Sequence, residues 1–484
     1  MRRSFIILVQ NTLILCVIGL SLSTCSLIAS PIVKNTEFVK AIGSKLYLNG
    51  KQFRFGGANI YWLGLDENVG GIRYPTNFRI DDALETAKDM GVSVVRSHTL
   101  GISVGNPLSL EPTLDKFNNR AFNTIDYSVY EAKKLGIHLI IPLTDNWNYY
   151  EGSFHTFTSW LHLPSNEFYG NVHVIHVFET YIAHLLNHFN PLTKLYLKND
   201  PTIMAFELGN ELNSMTLTWI NTISTFIHKL APHQLIAAGQ QYGINPATLR
   251  SKYVSIIDCH YYPPVISQVE AQAREATSSN KVFIAGEYGS IYASLGLFSA
   301  MTKDQDISGA AFWSLFAHND NFGYVQHNDG ETVHYPGDSL AMRQRDHLIR
   351  DFNYSMSQSN LTSANKEVTG FGVPKEPPPG QPLITGVFTQ NGNLLINWRG
   401  TTDALKYSVQ EQESNMHGLK SGKAKWVTLC NKCVTDDQLP LVLNKLPYNS
   451  SSNTKPSVVY YRVIPYNAEG IEGKVSRTYK ALVY

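Results

Sequence analysis

The sequence predicts two folded parts, a (β/α)8 barrel and, after it, a small all-β domain. Between residues 44 and 357, short apolar runs rich in β-branched residues alternate with longer stretches of helical periodicity. This alternation is typical of βα units and a parallel sheet. Eight such runs fit a barrel of the TIM type, which usually takes about 250 residues and can exceed roughly 400. After residue 382 the pattern changes to short alternating strands separated by turn residues, which favours a β-sandwich.

The amino terminus is a targeting segment rather than part of the fold. Arg2 and Arg3 precede an apolar run from Phe5 to Leu22, and small residues follow it. This pattern predicts a secretory signal peptide over residues 1–30. A signal anchor is the alternative, because the run is close to the ~18 residues that cross a bilayer. After cleavage, the protein is expected to be secreted, extracellular and free of the membrane.

The elements of the barrel can be assigned in chain order. The eight candidate strands are Phe53 to Tyr61, Val92 to His98, His138 to Thr144, Thr202 to Glu207, Leu235 to Gly239, Val254 to Tyr261, Val282 to Glu287 and Gly309 to Leu315. The clearest helices between them are Ile80 to Met90, Phe122 to Leu135, Val174 to Phe189, Leu217 to Leu230 and Val265 to Ala276. Gly91 and Gly136 are expected to close two of these helices in the left-handed conformation. A doubly wound sheet is the alternative, but no GxGxxG or P-loop sequence follows the first strand.

A proline-rich run from Pro374 to Pro382 separates the two parts. Its prolines predict an extended spacer. We therefore place the barrel domain at residues 31–372, the linker at 373–382 and the sandwich, which resembles a fibronectin type III module, at 383–484. The clearest strands of the last part are Leu394 to Trp398, Tyr407 to Gln412, Lys425 to Leu429 and Val458 to Pro465.

Composition and cysteine content exclude several classes of protein. Charged residues make up 16% of the 484 residues, against about 25% in an average globular protein. The net charge of +1 argues against a nucleic-acid partner, and a hydrophobic content of 43% excludes wholesale disorder. Once the signal peptide is removed, Cys259, Cys430 and Cys433 remain. A local disulfide between the last two is the preferred interpretation, because a single CxxC cannot close a tetrahedral zinc site.

Chemically active residues follow the predicted strands at the end where barrels carry their active sites. Glu211 in FELGNEL and Glu287 in IAGEYG each come directly after an apolar strand. Two carboxyls from separate strands are the groups that glycosidic bond cleavage requires. A structural salt bridge is the alternative for either glutamate alone. Further polar and aromatic residues at strand ends are Asn59, Trp62, Arg96, His98, Asp145, Asn146, Trp147, Asn210, His260, Tyr262 and Trp313.

The motifs at these strand ends resemble glycoside hydrolase family five, a family of retaining (β/α)8 glycosidases. In this chain they read VVRSH, LTDNWNYY, ELGNEL, DCHYYP, AGEYG and GAAFWSLFAH, and they cover most of residues 44–357. The motif VVRSH, the NIYWLG sequence near the start of the barrel and the DNW loop are most similar to the endo-β-1,4-mannanase branch. Leu212 stands where the family usually has proline, which weakens the assignment to a branch more than it weakens the activity.

The resemblance implies a role for each matching residue. Glu211 would be the acid/base and Glu287 the nucleophile. Arg96 and Tyr262 would contact the nucleophile. The other matches would line the same site, with Asn210 on the 2-hydroxyl of the sugar being cleaved, Trp313 as its aromatic floor, and His260 beside them.

Elementary electrostatics favours the same division of roles. A carboxylate beside Arg96 is favoured in its charged form, as a nucleophile must be, whereas a carboxylic acid in an aromatic pocket is favoured in its neutral form. Trp62 and Trp147 lie in loops after strands and are expected to stack on sugar faces, with simple loop packing as the alternative.

The sequence thus predicts a secreted retaining glycoside hydrolase that cleaves β-1,4-mannosidic bonds in mannan-type polysaccharides by a two-glutamate double displacement. The alternatives are an exo-acting β-mannosidase, a β-glucanase, or a catalytically weak carbohydrate-binding protein. A pure binder has no use for both Glu211 and Glu287. The expected partner is the polysaccharide, and the protein is expected to be a monomer without cofactor or metal. The spacing of His318, His327 and His334 does not place three ligands on one helix face.

Overall fold

Eight parallel strands close into a barrel in the computed structural model, which describes residues 37–241, 243–358, 373–413, 425–444 and 457–483. The predicted signal peptide lies outside these residues. The strands are β1 (Phe55–Asn59), β2 (Val94–Arg96), β3 (His138–Pro142), β4 (Ile203–Glu207), β5 (Leu235–Gln240), β6 (Ile256–Tyr261), β7 (Val282–Gly289) and β8 (Ile307–Trp313). Neighbours in sequence are neighbours in the barrel, and β8 pairs with β1. The predicted (β/α)8 barrel is confirmed.

Nine α-helices lie in the described part of the chain. They are α1 (Asn77–Asp89), α2 (Phe122–Leu135), α3 (Phe154–Trp160), α4 (Val172–Leu186), α5 (Leu217–Leu230), α6 (Pro246–Arg250), α7 (Ile266–Ser278), α8 (Leu295–Lys303) and α9 (Leu340–Gln358). The bounds of α2 and α5 are those predicted. Gly91 and Gly136 take φ values of 75° and 70°, the left-handed conformation expected after α1 and α2.

The barrel is filled at the amino ends of its strands and open at the other. Phe55, Val94, Ile140 and Ile284 from four strands form an apolar cluster that Leu46 joins from a small antiparallel sheet. This sheet consists of Lys40–Ile42, Lys45–Leu48 and Lys51–Phe53. Because side chains close the amino end, a substrate can enter only at the carboxyl ends of the strands.

Two antiparallel sheets follow the barrel. The first contains β9 (Leu383–Gln390), β10 (Asn393–Arg399) and β13 (Leu441–Asn444), and the second contains β11 (Lys406–Glu413), β12 (Val427–Val434), β14 (Ser457–Tyr466) and β15 (Tyr479–Val483). Trp398 of the first sheet and Tyr407 and Tyr461 of the second belong to one buried cluster. Cys430 and Cys433 form a disulfide. The likeness to a fibronectin type III sandwich stays a prediction.

The proline-rich segment 373–382 contains neither helix nor strand, and β9 begins directly after it at Leu383. Its prolines disfavour both kinds of element. It nevertheless packs against both neighbouring parts. The buried Glu376 carboxylate accepts hydrogen bonds from the Tyr335 hydroxyl, at 2.8 Å, and from the backbone N–H of Ala468, at 3.2 Å. The Arg350 guanidinium donates to the carbonyl of Pro374 at 2.7 Å. The domain boundaries themselves stay predictions.

A buried histidine joins the barrel to the C-terminal sheets. The Nδ1 of His318, in the segment after β8, lies 2.9 Å from Asp82 of α1, and its Nε2 lies 3.2 Å from Asp436 in the segment after β12. The Tyr407 hydroxyl also donates to Asp436, at 2.8 Å. Burial lowers the pKa of His318, but the charges of Asp82 and Asp436 outweigh this effect and raise it to about 10. We call Asp82, His318 and Asp436 the His318 clasp.

Candidate active site

Glu211 and Glu287 converge at the open end of the barrel. The Nδ1 of His260 lies 2.8 Å from Glu211 Oε1 and 3.4 Å from Glu287 Oε2. One oxygen of each carboxyl and a His260 nitrogen all lie within 4.8 Å of one another. Both glutamates are buried, at 5% and 4% exposure. The two side chains therefore lie together at the open end of the barrel, and their catalytic roles stay predictions.

The backbone around Glu211 is held by neighbouring strands. The N–H of Asn210 donates to Thr144 after β3, at 2.8 Å, and the N–H of Leu212 donates to Gly239 of β5, at 3.2 Å. Glu211 itself has a φ of 55°, in the left-handed region. A residue other than glycine holds this conformation at a cost of about 1–3 kcal/mol, and such residues cluster at functional sites.

Arg96 is the central cation of the site. At the end of β2, it contacts Glu287 Oε1 at 2.6 Å and the Oδ1 of Asn210 at 2.8 Å. Its Nε and Nη2 also donate to both oxygens of Glu207, at 2.9 and 2.8 Å. Burial alone would raise the pKa of Glu287, but the charges of His260 and Arg96 lower it far below its ordinary value. Glu287 is thus held ionised and fixed in place.

His260 and Tyr262 complete the surroundings of the two carboxyls. The register of β6 and β7 pairs His260 with Glu287. The Tyr262 hydroxyl donates to Glu287 Oε2 at 2.7 Å. Burial lowers the pKa of His260, yet the charge of Glu287 and the hydrogen bond to Glu211 outweigh it and raise the pKa to about 9. His260 therefore carries a proton against Glu211 at neutral pH.

This protonated histidine makes stability depend on pH. Because its pKa rises from 6.5 to about 9 on folding, its contribution to the free energy of unfolding is complete below pH 6.5 and is lost as pH rises through 9. We expect the wild type to lose up to about 1.4 kcal/mol per pH unit in this window relative to His260→Gln. Urea unfolding at several pH values measures the difference, and His318 contributes equally to both proteins. Parallel pH curves for the two proteins would contradict the expectation.

Asn210 and Trp147 lie against Glu211 from two sides. The amide of Asn210 donates to the Asp145 carboxyl at 3.2 Å, and its oxygen accepts from Arg96, so its orientation is fixed. The indole N–H of Trp147 donates to Glu211 Oε2 at 2.5 Å. Both residues line the cleft, and their contact with a substrate stays a prediction.

The two other predicted tryptophans differ in position. Trp313, the last residue of β8, lines the cleft, stacks on Tyr61 at 5.2 Å and donates to Asp329 at 2.6 Å. Trp62 is fully buried beneath the Arg79 guanidinium, and its N–H donates to the Leu315 carbonyl. The prediction that Trp62 contacts sugar is wrong, because the chain turns this ring into the core and presents Tyr61 to the cleft instead.

Several functional residues were not assigned a role from the sequence. Glu207, the last residue of β4, forms an ion pair with Arg96. A carboxylate at the end of an apolar strand is costly to bury unless it is paired, and this signal in the sequence could have identified it. His98 accepts a hydrogen bond from Arg96, and its Nε2 is 3.5 Å from Glu287. Tyr61 carried no such pattern, since it stands between apolar residues.

The site opens into a cleft of about 630 Å³ lined by carboxylates, histidines and aromatic rings. Within the described residues, two trios of side chains could each offer ligand atoms to a metal ion: Glu211, His260 and Glu287, and His98, Asp145 and Glu151. In the first trio, the raised pKa of His260 places a positive charge between the two carboxyls, and Arg96 contacts Glu287 at 2.6 Å. For the second, burial raises the pKa of Asp145 to about 8 and that of Glu151 well above its ordinary value, which favours protons.

A closed (β/α)8 barrel that brings two glutamates together at the carboxyl ends of its fourth and seventh strands has the apparatus of a glycoside hydrolase. Comparison with known proteins agrees. Residues 36–250 match the family model described as GH family 5 beta-mannosidase-like. The resemblance to glycoside hydrolase family five that the motifs predicted is confirmed.

Individual proteins similar to this chain are of the mannanase type. The chain is 29% identical over 218 residues to a putative mannan endo-1,4-beta-mannosidase P of Arabidopsis thaliana, a match covering 42% of this chain and 52% of that protein. It is 30% identical over 217 residues to mannan endo-1,4-beta-mannosidase 5 of Solanum lycopersicum, covering 42% and 51%. The chain thus spans about half the length of the curated relatives it matches. The crystal structure of an endo-1,4-beta-mannanase from Rhizomucor miehei shares the fold, with a TM-score of 0.56, 22% identity, and coverage of 66% of this chain and 99% of that one.

Proposed function

We propose that this protein hydrolyses β-1,4-mannosidic bonds in mannan-type polysaccharides with retention of configuration. The observation that carries the proposal is that one carboxyl oxygen of Glu211 and one of Glu287 lie within 4.8 Å of each other, beside His260. Retaining glycosidases place their carboxyls about 5–5.5 Å apart, whereas inverting enzymes separate them by about 6.5–9.5 Å to admit a water molecule. The mannan specificity rests on the relatives described above.

The mechanism follows from the environment of each carboxyl. An oxygen of Glu287, ionised beside Arg96, attacks the anomeric carbon while Glu211 gives a proton to the leaving glycosidic oxygen, so that the bond between carbon and leaving oxygen breaks. Glu211 enters this step as the carboxylic acid, and His260 and Trp147 hold its two oxygens in place. In the second step, water attacks the same carbon, Glu211 takes the water proton, and Glu287 leaves.

Asn210 and Trp313 position the sugar in this proposal. Asn210 is fixed by Arg96 and Asp145 at the base of the cleft, where it contacts the 2-hydroxyl of the ring being cleaved. Trp313, stacked on Tyr61, offers an aromatic face to the apolar side of the same ring.

An exo-acting β-mannosidase is the second candidate, and one observation favours it. The segments after β1 and β8 meet beside the cleft, where His327 Nδ1 lies 2.9 Å from Asn68 and 3.2 Å from the Tyr61 hydroxyl. Such a wall at one end limits how many sugar rings fit on that side. A long chain could still be cleaved internally if it runs past the wall.

Product analysis separates these possibilities. The purified protein is incubated with mannan, galactomannan, glucomannan, cellulose and aryl β-mannosides, and the products are sized over time. We expect early release of a mixture of mannooligosaccharides. Mannose as the sole early product would indicate exo action, release from cellulose alone would indicate a β-glucanase, and binding without turnover would indicate a carbohydrate-binding protein.

Secretion also belongs to the proposal. It rests on the signal-peptide pattern of residues 1–30, which precede the described residues. Among the residues that the structure describes, no helix is both long enough and apolar enough to cross a membrane. We further propose that residues 383–484 form the fibronectin type III-like sandwich.

A further inference from the structure

A carboxyl group in the wall of the cleft, separated from the nucleophile by His98, has no role in the mechanism above. Glu151 follows β3 in the same loop as Trp147, lines the cleft and is 2% exposed. Its Oε2 has no hydrogen-bond partner among the described residues. Leaving a buried carboxyl oxygen unpaired costs free energy, and in the wall of a cleft such an oxygen can be satisfied by a group that enters it.

His98 faces this carboxyl across a gap. Because the Nε2 of His98 accepts a hydrogen bond from Arg96 at 2.9 Å, its proton is on Nδ1. Nδ1 lies 4.0 Å from Glu151 Oε1 and 3.8 Å from Asp145, too far for direct hydrogen bonds. A donor and an acceptor thus lie without a direct hydrogen bond to each other in the wall of the cleft, and the other nitrogen of the same ring is 3.5 Å from Glu287.

The loop is built to aim Glu151 at the cleft. Its carbonyl accepts a hydrogen bond from the N–H of Val104 at 2.9 Å. The next residue, Gly152, has a φ of 94°, and a Cβ there would lie 2.3 Å from the Val104 carbonyl oxygen, so only glycine fits this turn. The position of Glu151 is therefore fixed by backbone contacts rather than by its own side chain.

We propose that Glu151 and His98 together bind a hydroxyl group of the sugar held beside Glu287, which makes Glu151 a specificity-determining residue. This inference rests on the proposed function. A neutral carboxyl both donates and accepts, as a hydroxyl partner requires. Burial, followed by the charge of Asp145, raises the pKa of Glu151 and so favours that neutral form. A cation is a poorer occupant, because Asp145 already accepts from the Trp147 backbone and from Asn210.

The test compares two replacements in the full chain. Glu151→Met keeps the volume but removes both hydrogen-bonding functions, whereas Glu151→Gln stays neutral and still donates and accepts. We expect Glu151→Met to raise the KM for mannopentaose, and its calorimetric Kd, roughly tenfold with kcat little changed, and Glu151→Gln to stay within about threefold of the wild type. Thermal unfolding confirms that both variants fold.

The matched control is Glu111→Met. Glu111 is also a buried glutamate with an unpaired Oε2, but it does not line the cleft. This change should alter stability and leave KM unchanged.

Three outcomes would overturn the inference. An unchanged KM and Kd in Glu151→Met would show that no hydroxyl is bound there. Equal loss in Glu151→Gln and Glu151→Met, together with inhibition of the wild type by a chelator, would assign the group to a cation. A loss in Glu111→Met of the same size would make the effect merely structural. Absence of wild-type turnover on every mannan substrate would instead contradict the proposed function, and the calorimetric Kd would still test Glu151.

Discussion

Glu287→Ala is expected to abolish turnover of mannan and of aryl β-mannosides alike, lowering kcat by a factor on the order of 10⁵ or more. The reason is that the nucleophilic oxygen is removed, so no glycosyl-enzyme can form on any substrate. Steady-state kinetics on both substrate types measures the loss. Glu111→Ala, which truncates a buried glutamate outside the cleft, is the control for a general effect on folding.

Glu211→Ala should behave differently with activated leaving groups. Without the proton donor, turnover of mannan is expected to fall by about 10²–10⁴. A dinitrophenyl β-mannoside needs no protonation, so it should give a burst of phenol. Slow turnover should follow, because the variant lacks the base that Glu211 provides for the attack of water. Azide should rescue Glu211→Ala with a β-configured product and Glu287→Ala with an inverted one. Exchanged behaviours of the two variants would reverse the roles, and full activity of both would remove these residues from the chemistry.

The second large effect is expected from Arg96→Met. This change keeps much of the side-chain length but leaves Glu207 buried without its cation and leaves Glu287 with the charge of His260 alone. Breaking a buried ion pair in this way costs about 3–5 kcal/mol of unfolding free energy. Activity should also be lost, since Glu287 loses one of the charges that keep it ionised and the 2.6 Å contact that aims it. Urea unfolding and kinetics measure the two effects.

A second replacement separates stability from activity. Adding Glu207→Gln to Arg96→Met removes one unpaired charge, so stability should partly return while activity stays absent. Lys45→Met, which breaks the partly exposed ion pair with Asp306, should cost less than about 1 kcal/mol. If Arg96→Met were as stable as the wild type, the ion pairs around Arg96 would not be a source of stability.

The barrel was predictable because parallel strands are covered on both faces and read as continuous apolar runs. Every residue of β3 and β4 is buried, and these runs stood out in the sequence. The residues at which each strand begins and ends did not follow from the apolar runs. The predicted strand Val92 to His98 spans only Val94–Arg96 in the structure, because beyond Arg96 the chain leaves the sheet and forms the edge of the cleft.

The positions of Glu211 and Glu287 followed from the rule that strand ends meet at one edge. The direction of a loop side chain did not follow from any local rule. Trp62 is placed by Arg79 and Leu315, and the second of these is distant in sequence. Likewise, the partners of Glu376 on both sides of the proline-rich segment could not be inferred from an extended composition.

The His318 clasp restricts which modules can be exchanged by recombination. A foreign C-terminal module joined at the proline-rich segment would have to place a carboxylate where Asp436 meets Nε2 of His318. Otherwise, an imidazolium would be buried against Asp82 alone, with its second N–H facing an interface that cannot accept it. A chimera that keeps the native C-terminal module but replaces the barrel would in turn have to place a histidine against Asp436. We therefore expect the barrel and its own C-terminal sheets to be exchanged only together.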